Sequence, residues 1–448
     1  MKQQKEKQAD IVFGINSGPF SKSSLMRCEA YGRSSIGGLF RCFRPTKSTS
    51  YPAFCKARHD LLTRWSVTKS LITETMARFI GAKVRMFLMK RCILTSIVYF
   101  CGMKTNVSLK PYNSFGFDAK AKYFVEINAI DDLQTLVKSG ELQKHKTLIL
   151  SGGNNILFQN DVFEGLVVYI NTKGIEILRE DGSEVIVRAQ AGEDWPEFVR
   201  FCVSKGWHGV ENLAHIPGKV GAAPVQNIGA YGIELKDSFL QCQAVDLTTG
   251  ETKVFTKEEC RFGYRESIFK GELKGKFVIT SVDFLLKKET PLHLEYGNIK
   301  TYLEQNGIEN PTLQQLHDAI CAIRDTKLPD VKQIGSAGSF FKNPVIERTQ
   351  FEALHKDYPT MPHYDEPNGM VKVPAGWLIE HCGPSTGSGT ASWKGWRDEH
   401  VGVYDRQALV LVHYGGGKGQ DIVQLAHRIQ ESVKEKFGIR ISPEVNFF

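Results

Sequence analysis

From Met103 onward the sequence predicts an α+β fold. Three observations predict it: a short apolar run feeding a glycine-rich turn near residue 150, a helical stripe of apolar residues starting at Trp195, and a longer helical stripe starting near Asp421. Strand and helix periodicities thus follow one another along a single chain, with no internal repeat.

Each element has its own local reason. Asp131 to Lys138 carries Leu133, Leu136 and Val137 on one helical face. Thr147 to Leu150 reads as a buried strand that runs into Ser151-Gly152-Gly153-Asn154-Asn155, and Gly165 to Ile170 reads as another strand. Asp194 is placed to cap a helix from Trp195 to about Lys205, with Pro196 in the first turn and Gly206 as the stop. Trp195, Phe198, Val199 and Cys202 follow the i, i+3, i+4, i+7 pattern of a buried face. Asp421 opens a helix whose Ile422, Leu425, Ala426, Ile429 and Val433 form one stripe, ended by Gly438. A short final strand is expected over Ile439 to Phe448.

Charge is unevenly distributed along the 448 residues. Residues 1–102 hold 18 Lys and Arg against 5 Asp and Glu, a net of +13, so the formal +8 of the whole chain leaves −5 on the body. The arm mixes Ser, Arg, Gly and Cys without periodicity, so it is expected to lie outside the fold, with Met103 as the natural start. Its composition also suits an organelle transit peptide. Its most apolar piece, Cys92 to Cys101, has ten residues where a membrane span needs about 20. No Cys pair has C-x-x-C spacing, and buried free thiols in a reducing cytoplasm are expected. The histidines show no H-E-x-x-H or paired spacing, so no metal site is predicted.

The segment Gly206 to Gly232 has six glycines in 27 residues and two full charges. Glycine at that density lets backbone N–H groups approach a ligand and form anion-binding nests. With the turn after Leu150, it suggests a site for a diphosphate-bearing cofactor; a plain glycine-rich connector is the alternative. Gly415-Gly416-Gly417-Lys418-Gly419 lacks phosphate-loop spacing and reads as a surface turn.

IPGKVGAAPVQNIGAYG, RFGYRESIFK, SAGSFFKNP and the terminal PEV, in that order, resemble the bacterial UDP-N-acetylenolpyruvoylglucosamine reductases. The likeness runs from about Asn106 to Phe448 and leaves out the basic arm. Tyr296 within LEYGNI and the 290–330 insertion are similar to the type I branch. The resemblance implies a vanillyl-alcohol-oxidase-type FAD-binding domain in two lobes and a separate α/β substrate-binding domain. The parse is 103–169 for the first lobe, 170–325 for the second, 326–435 for the substrate domain, and 436–448 for a strand returning to the site.

It also implies an activity: NADPH-dependent reduction of UDP-N-acetylglucosamine enolpyruvate to UDP-N-acetylmuramate, a step of peptidoglycan precursor synthesis. A double bond conjugated to a carboxylate takes hydride at C3 and a proton at C2. That chemistry asks for a hydride carrier, here FAD, a cation for the developing enolate, and an acid. The resemblance gives the clamp to Arg265, its orientation or enolate stabilisation to Glu444, and the C2 proton to Ser339. A guanidinium suits the first role because it is permanently charged and grips carboxylates bidentately. By the same likeness Gly152, Gly153, Asn154, Asn155, Pro217, Gly218, Gly221, Asn227, Gly229, Ala230 and Tyr264 contact the cofactors. Tyr296, Lys327, Asn343 and Gln407 hold the UDP-sugar.

Two departures stand out. Gly153-Asn154-Asn155 replaces the family's usual Gly-Ser-Asn, and Gly221-Ala222-Ala223-Pro224 has alanines where serines are often found. The turn at Gly152 offers no His or Cys, so the FAD is expected to be non-covalent and released by acid. A cytoplasmic monomer without nucleic-acid or membrane partners is expected. A flavin oxidase or dehydrogenase of the same cofactor fold acting on a sugar or alcohol, and a nucleic-acid-binding protein led by the basic arm, are the competing readings.

Overall fold

A computed structural model describes residues 102–384 and 391–448; the expectations for the basic arm and for its five cysteines lie outside the described residues. The first sheet has four strands in the order Lys104–Ser108, Lys120–Ile127, Val162–Ile170 and Thr147–Leu150. The first pair is antiparallel and the other two are parallel. Strand alternation makes it two-faced. Val125, Ile127, Leu166 and Val168 meet Leu133, Leu136 and Val137 of the helix Ile130–Ser139, whereas Phe124 and Val167 face Leu109, Leu148, Phe158 and Phe163.

A second, antiparallel sheet runs in the order Thr252–Thr256, Phe239–Asp246, Phe277–Lys287, Glu184–Gln190 and Ile175–Glu180. The helices Trp195–Ser204, Ile299–Gln305 and Leu313–Lys327 contribute to its core. Trp195, Phe198, Val199 and Cys202 are all buried there, as their spacing requires. On the buried central strand Asp283 accepts hydrogen bonds from Arg188 Nε (2.7 Å), Arg188 Nη2 (2.9 Å) and Gln241 Nε2 (2.8 Å). Such a charge is tolerated inside only when fully paired.

A third core gathers the three-stranded sheet Gly335–Ser339, Val410–His413 and Val401–Val403, a smaller sheet of Val345–Glu347, Met370–Lys372 and Tyr364–Asp365, and the helix Gly419–Phe437. Ile422, Leu425, Ala426, Ile429 and Val433 of that helix are buried, and Gly438 ends it with φ +67°. Among the described cysteines, Cys202, Cys242, Cys260 and Cys382 are buried free thiols and Cys321 is partly exposed. Burial pushes the Cys382 thiol up to about 12.

Three expectations are corrected. Asp194 stands at the N-cap position, but its side chain makes no cap hydrogen bond. Its carboxylate is taken by Lys219 at 3.2 Å and Lys173 at 3.4 Å, charged partners that outcompete a backbone N–H. The final strand spans only Asn446–Phe447, parallel to Ile156–Leu157. The preceding backbone turns aside to bond the segment after Ser339. Gly419 is also more than part of a surface turn: it is the first residue of the helix and lies against Phe158, whose carbonyl oxygen would stand 1.7 Å from any Cβ there.

Candidate functional site

Two glycine turns meet backbone to backbone. Gly153 has φ +67°, and a Cβ there would lie 1.9 Å from the Tyr112 carbonyl oxygen. A Cβ on Gly152 would lie 2.9 Å from Gly218 Cα. Only residues without a side chain allow that approach. The second turn is fixed by Trp195 N donating to Gly218 O (2.9 Å) and Gly221 N to Ala191 O (2.9 Å). The Ser151 hydroxyl beside this junction is buried with no hydrogen-bond partner in the described structure. A backbone-lined cradle with an unspent hydroxyl suits a diphosphate group. Gly152, Gly153, Asn154 and Gly218 are the residues with N–H groups able to hold it, whereas Pro217 has none.

Other predicted cofactor positions have internal duties. Asn155 Nδ2 donates to Gln226 Oε1 (2.8 Å) and to the Glu444 carbonyl (3.4 Å). Asn227 is fully buried at φ +43°. It donates to Glu234 Oε2 (3.1 Å) and Gly263 O (3.0 Å) and accepts from Lys236 N (3.1 Å), so its side chain is spent on joining the glycine-rich segment to the turn that carries Arg265. Gly229 and Ala230 form one arm of a two-residue hairpin with Ile233 and Glu234.

Arg265 occupies the tight turn closed by Gly263 and Glu266, with φ +57°. Nη2 donates to Gly229 O at 2.5 Å and Nη1 to Asn227 O at 3.4 Å. Nε lies 3.7 Å from Glu444 Oε1, in a pair whose side chains are 22% and 14% exposed, so solvent screens it less than a surface pair. Glu444 reaches this position because its N–H donates to Phe340 O (2.8 Å), the residue after Ser339. Ser339 ends the strand Gly335–Ser339 opposite Val410 and is exposed. Arg265, Glu444 and the Ser339 segment, distant in sequence, are thereby brought together.

Around them, Lys342 Nζ lies 2.9 Å and Lys270 Nζ 3.8 Å from Glu266 Oε1. Burial opposes ionisation of Glu266, but the two ammonium groups prevail and hold its carboxyl below the usual range. Burial, reinforced by Lys342, lowers the pKa of Lys270.

A cleft of about 400 Å³ is lined by Tyr264, Tyr296, Asn343, Tyr364, Lys372 and Gln407, among others. Lys372 Nζ sits 4.7 Å from the Tyr264 ring centre and 5.8 Å from that of Tyr364, and it is paired with Glu366. Burial raises the Tyr296 hydroxyl pKa, and the neighbouring Tyr364 and Tyr264 add to the shift. Asn343 Oδ1 accepts from Ala375 N (2.9 Å), fixing the start of the helix Ala375–Glu380 against the cleft. Lys327 does not line this cleft; it is the half-buried last residue of the helix Leu313–Lys327.

Sequence reasoning missed Tyr364 and Lys372, which become neighbours only because their two strands pair with Tyr364 opposite Lys372. It also passed over Lys270 and Lys342, although both stand inside motifs already singled out, RFGYRESIFK and SAGSFFKNP.

Comparison with known proteins shows the family of this chain. Residues 121–256 match the family described as FAD binding domain, and residues 329–448 match the UDP-N-acetylenolpyruvoylglucosamine reductase C-terminal domain. The UDP-N-acetylenolpyruvoylglucosamine reductase of Flavobacterium johnsoniae is 47% identical over 345 residues, covering 77% of this chain and 99% of the relative. That of Chromobacterium violaceum is 44% identical, covering 76% and 97%. The crystal structure of the Thermus caldophilus reductase superposes with a TM-score of 0.52 at 21% identity, covering 77% of this chain and 99% of that one, a likeness of fold. With those motifs, that cradle and relatives matched along nearly their whole length, the chain belongs to the UDP-N-acetylenolpyruvoylglucosamine reductase family.

Proposed function

We propose that this protein reduces UDP-N-acetylglucosamine enolpyruvate to UDP-N-acetylmuramate with electrons from NADPH, in the synthesis of peptidoglycan precursors. The observation that carries the reading is the meeting of Arg265, Glu444 and the Ser339 segment beside a cleft lined by tyrosines and a lysine.

Non-covalent FAD, when bound, supplies the hydride that C3 of the enolpyruvyl group accepts. The chain does the rest by position and charge. Gly152, Gly153, Asn154 and Gly218 would hold the diphosphate of the cofactor through their backbone N–H groups, and Tyr264 would lie near the flavin and nicotinamide. Arg265 has five N–H donors; Nη1 and Nη2 each use one on a backbone carbonyl and Nε faces Glu444. One N–H on each Nη stays available to the substrate carboxylate, where negative charge grows as C3 is reduced. Glu444 keeps the guanidinium from turning. Ser339 gives its hydroxyl proton to C2.

Tyr296, Asn343, Gln407 and Lys372 hold the UDP-sugar in the cleft, while Lys327 acts from the end of its helix on the diphosphate. We assign 103–169 and 170–325 to the two cofactor lobes, 326–435 to the substrate domain and 436–448 to the segment that delivers Glu444. A cytoplasmic monomer completes the proposal. No helix among the described residues is long and apolar enough to cross a membrane.

The purified protein is expected to be yellow, to bleach anaerobically with NADPH, and to regain its colour when the enolpyruvyl UDP-sugar is added. A bleached protein that stays colourless with that substrate contradicts the assignment.

A further inference from the structure

We propose that Lys270 is a positioning residue for the reduction, holding the backbone of Arg265 in the one conformation that aims its guanidinium at the substrate carboxylate. The proposal rests on the function proposed above and concerns a residue which that reading does not use.

Arg265 sits at φ +57°, a region a side-chain-bearing residue keeps only when its surroundings enforce it. At the far end of the residue, the guanidinium is held by Gly229 O and Asn227 O. At the near end, the Arg265 carbonyl accepts a hydrogen bond of 2.9 Å from Lys270 Nζ. Lys270 reaches it from within the same motif, with its side chain only 19% exposed. An ammonium group withdrawn from water in this way needs a compensating partner. The nearby Glu266 carboxylate is held more closely by Lys342, at 2.9 Å against 3.8 Å for Lys270. The Arg265 carbonyl is therefore the closer partner of Lys270.

The surroundings support a role beyond packing. Arg265, Lys270 and Lys342 are three cations facing two carboxylates, Glu266 and Glu444. Cations outnumber carboxylates here, and Arg324 also acts on Arg265, so the cluster favours an anionic substrate. Lys342 follows Ser339 in the chain, so its bond to Glu266 ties the proton-donating segment to the turn that Lys270 braces.

The test uses full-length flavin-loaded protein with Lys270→Met, which keeps the aliphatic stem but removes the donor, and Lys270→Arg, which keeps a donor. Flavin reduction by NADPH and flavin reoxidation by the enolpyruvyl UDP-sugar are followed separately by rapid mixing, with a urea unfolding midpoint for each variant. Lys270→Met is expected to slow reoxidation at saturating substrate by on the order of 10²-fold, the usual effect of a misplaced reacting group. Flavin reduction should stay near the wild-type rate, and Lys270→Arg should recover most of the loss. Reoxidation at the wild-type rate in Lys270→Met overturns the proposal, as does an equal loss in both half-reactions with a lowered midpoint. If Lys270→Met does not fold, Lys270→Gln serves in the same comparison. If the wild-type flavin is not reoxidised by this substrate, the functional reading itself falls. A crystal structure of Lys270→Met then decides the role of Lys270: departure of residue 265 from positive φ supports it, and an unchanged φ overturns it.

Discussion

Arg265 Nε lies 3.7 Å from Glu444 Oε1, joining a turn in the middle of the chain to its last few residues. Glu444 is delivered by its own backbone bond to Phe340, so the pair also fixes where Ser339 stands relative to the guanidinium.

Removing that carboxylate tests what the contact does. Glu444→Gln keeps the shape and a hydrogen-bonding group but not the charge. We expect a loss of transition-state stabilisation of about 2–4 kcal/mol, the usual range for one charge-stabilising group. It should show as lower kcat with little change in KM for the enolpyruvyl substrate. A change confined to KM would place Glu444 in binding alone.

Lys372 makes a separate prediction, because it lines the cleft and lies over the Tyr264 ring. Lys372→Ala should raise KM for the UDP-sugar by about 10- to 100-fold, the effect of one lost charge-assisted contact of about 1.5–3 kcal/mol. kcat and flavin content should stay close to wild type. Steady-state kinetics together with the flavin absorbance of the purified variant check this.

Gly116 and Gly153 share the same backbone region, φ +72° and +67°, but only Gly153 lacks room. Nothing lies within 4 Å of a Cβ at Gly116, whereas the Tyr112 carbonyl would be 1.9 Å from one at Gly153. Gly116→Ala should cost the backbone penalty alone, about 1–2 kcal/mol. Gly153→Ala should cost more and also reduce retained flavin. Urea denaturation and the flavin-to-protein ratio distinguish them.

His413 links stability to pH. Its Nδ1 donates to Phe115 O at 2.9 Å, while Nε2 is buried without a partner in the described structure. Burial lowers its pKa, so the folded protein resists protonating it. The sign follows: the unfolded chain takes up a proton at about pH 6.5 and the folded chain only below that. The stabilisation is present above about pH 6.5 and is lost as pH falls through the lower folded value. His413→Asn keeps a donor for Phe115 O without titrating, and its urea stability should fall less between pH 7.5 and pH 5 than that of the wild type.

The parts of the fold that could be read in advance are those with local causes. The helix Trp195–Ser204 announces itself by an apolar spacing, a proline and a glycine, and the strand Thr147–Leu150 by an apolar run ending in a turn. Asp194 shows the limit: its type and place suit a cap, but Lys219 and Lys173 arrive from elsewhere in the chain and claim its carboxylate. The site divides in the same way. Arg265, Ser339 and Glu444 stand in recognisable motifs, whereas nothing local marks Tyr364 and Lys372, which only strand pairing makes neighbours. Lys270 was within a motif, but its bond is to a backbone carbonyl, which no residue pattern encodes.

Ser339→Ala, followed by rapid mixing, is the most direct measurement. Loss of the hydroxyl should leave flavin bleaching by NADPH close to wild type and slow the return of colour with the enolpyruvyl UDP-sugar by at least about 10²-fold, the lower end of what a positioned acid contributes. An equal slowing of both steps, or a return of colour at the wild-type rate, would contradict the role of Ser339 as the donor of the C2 proton.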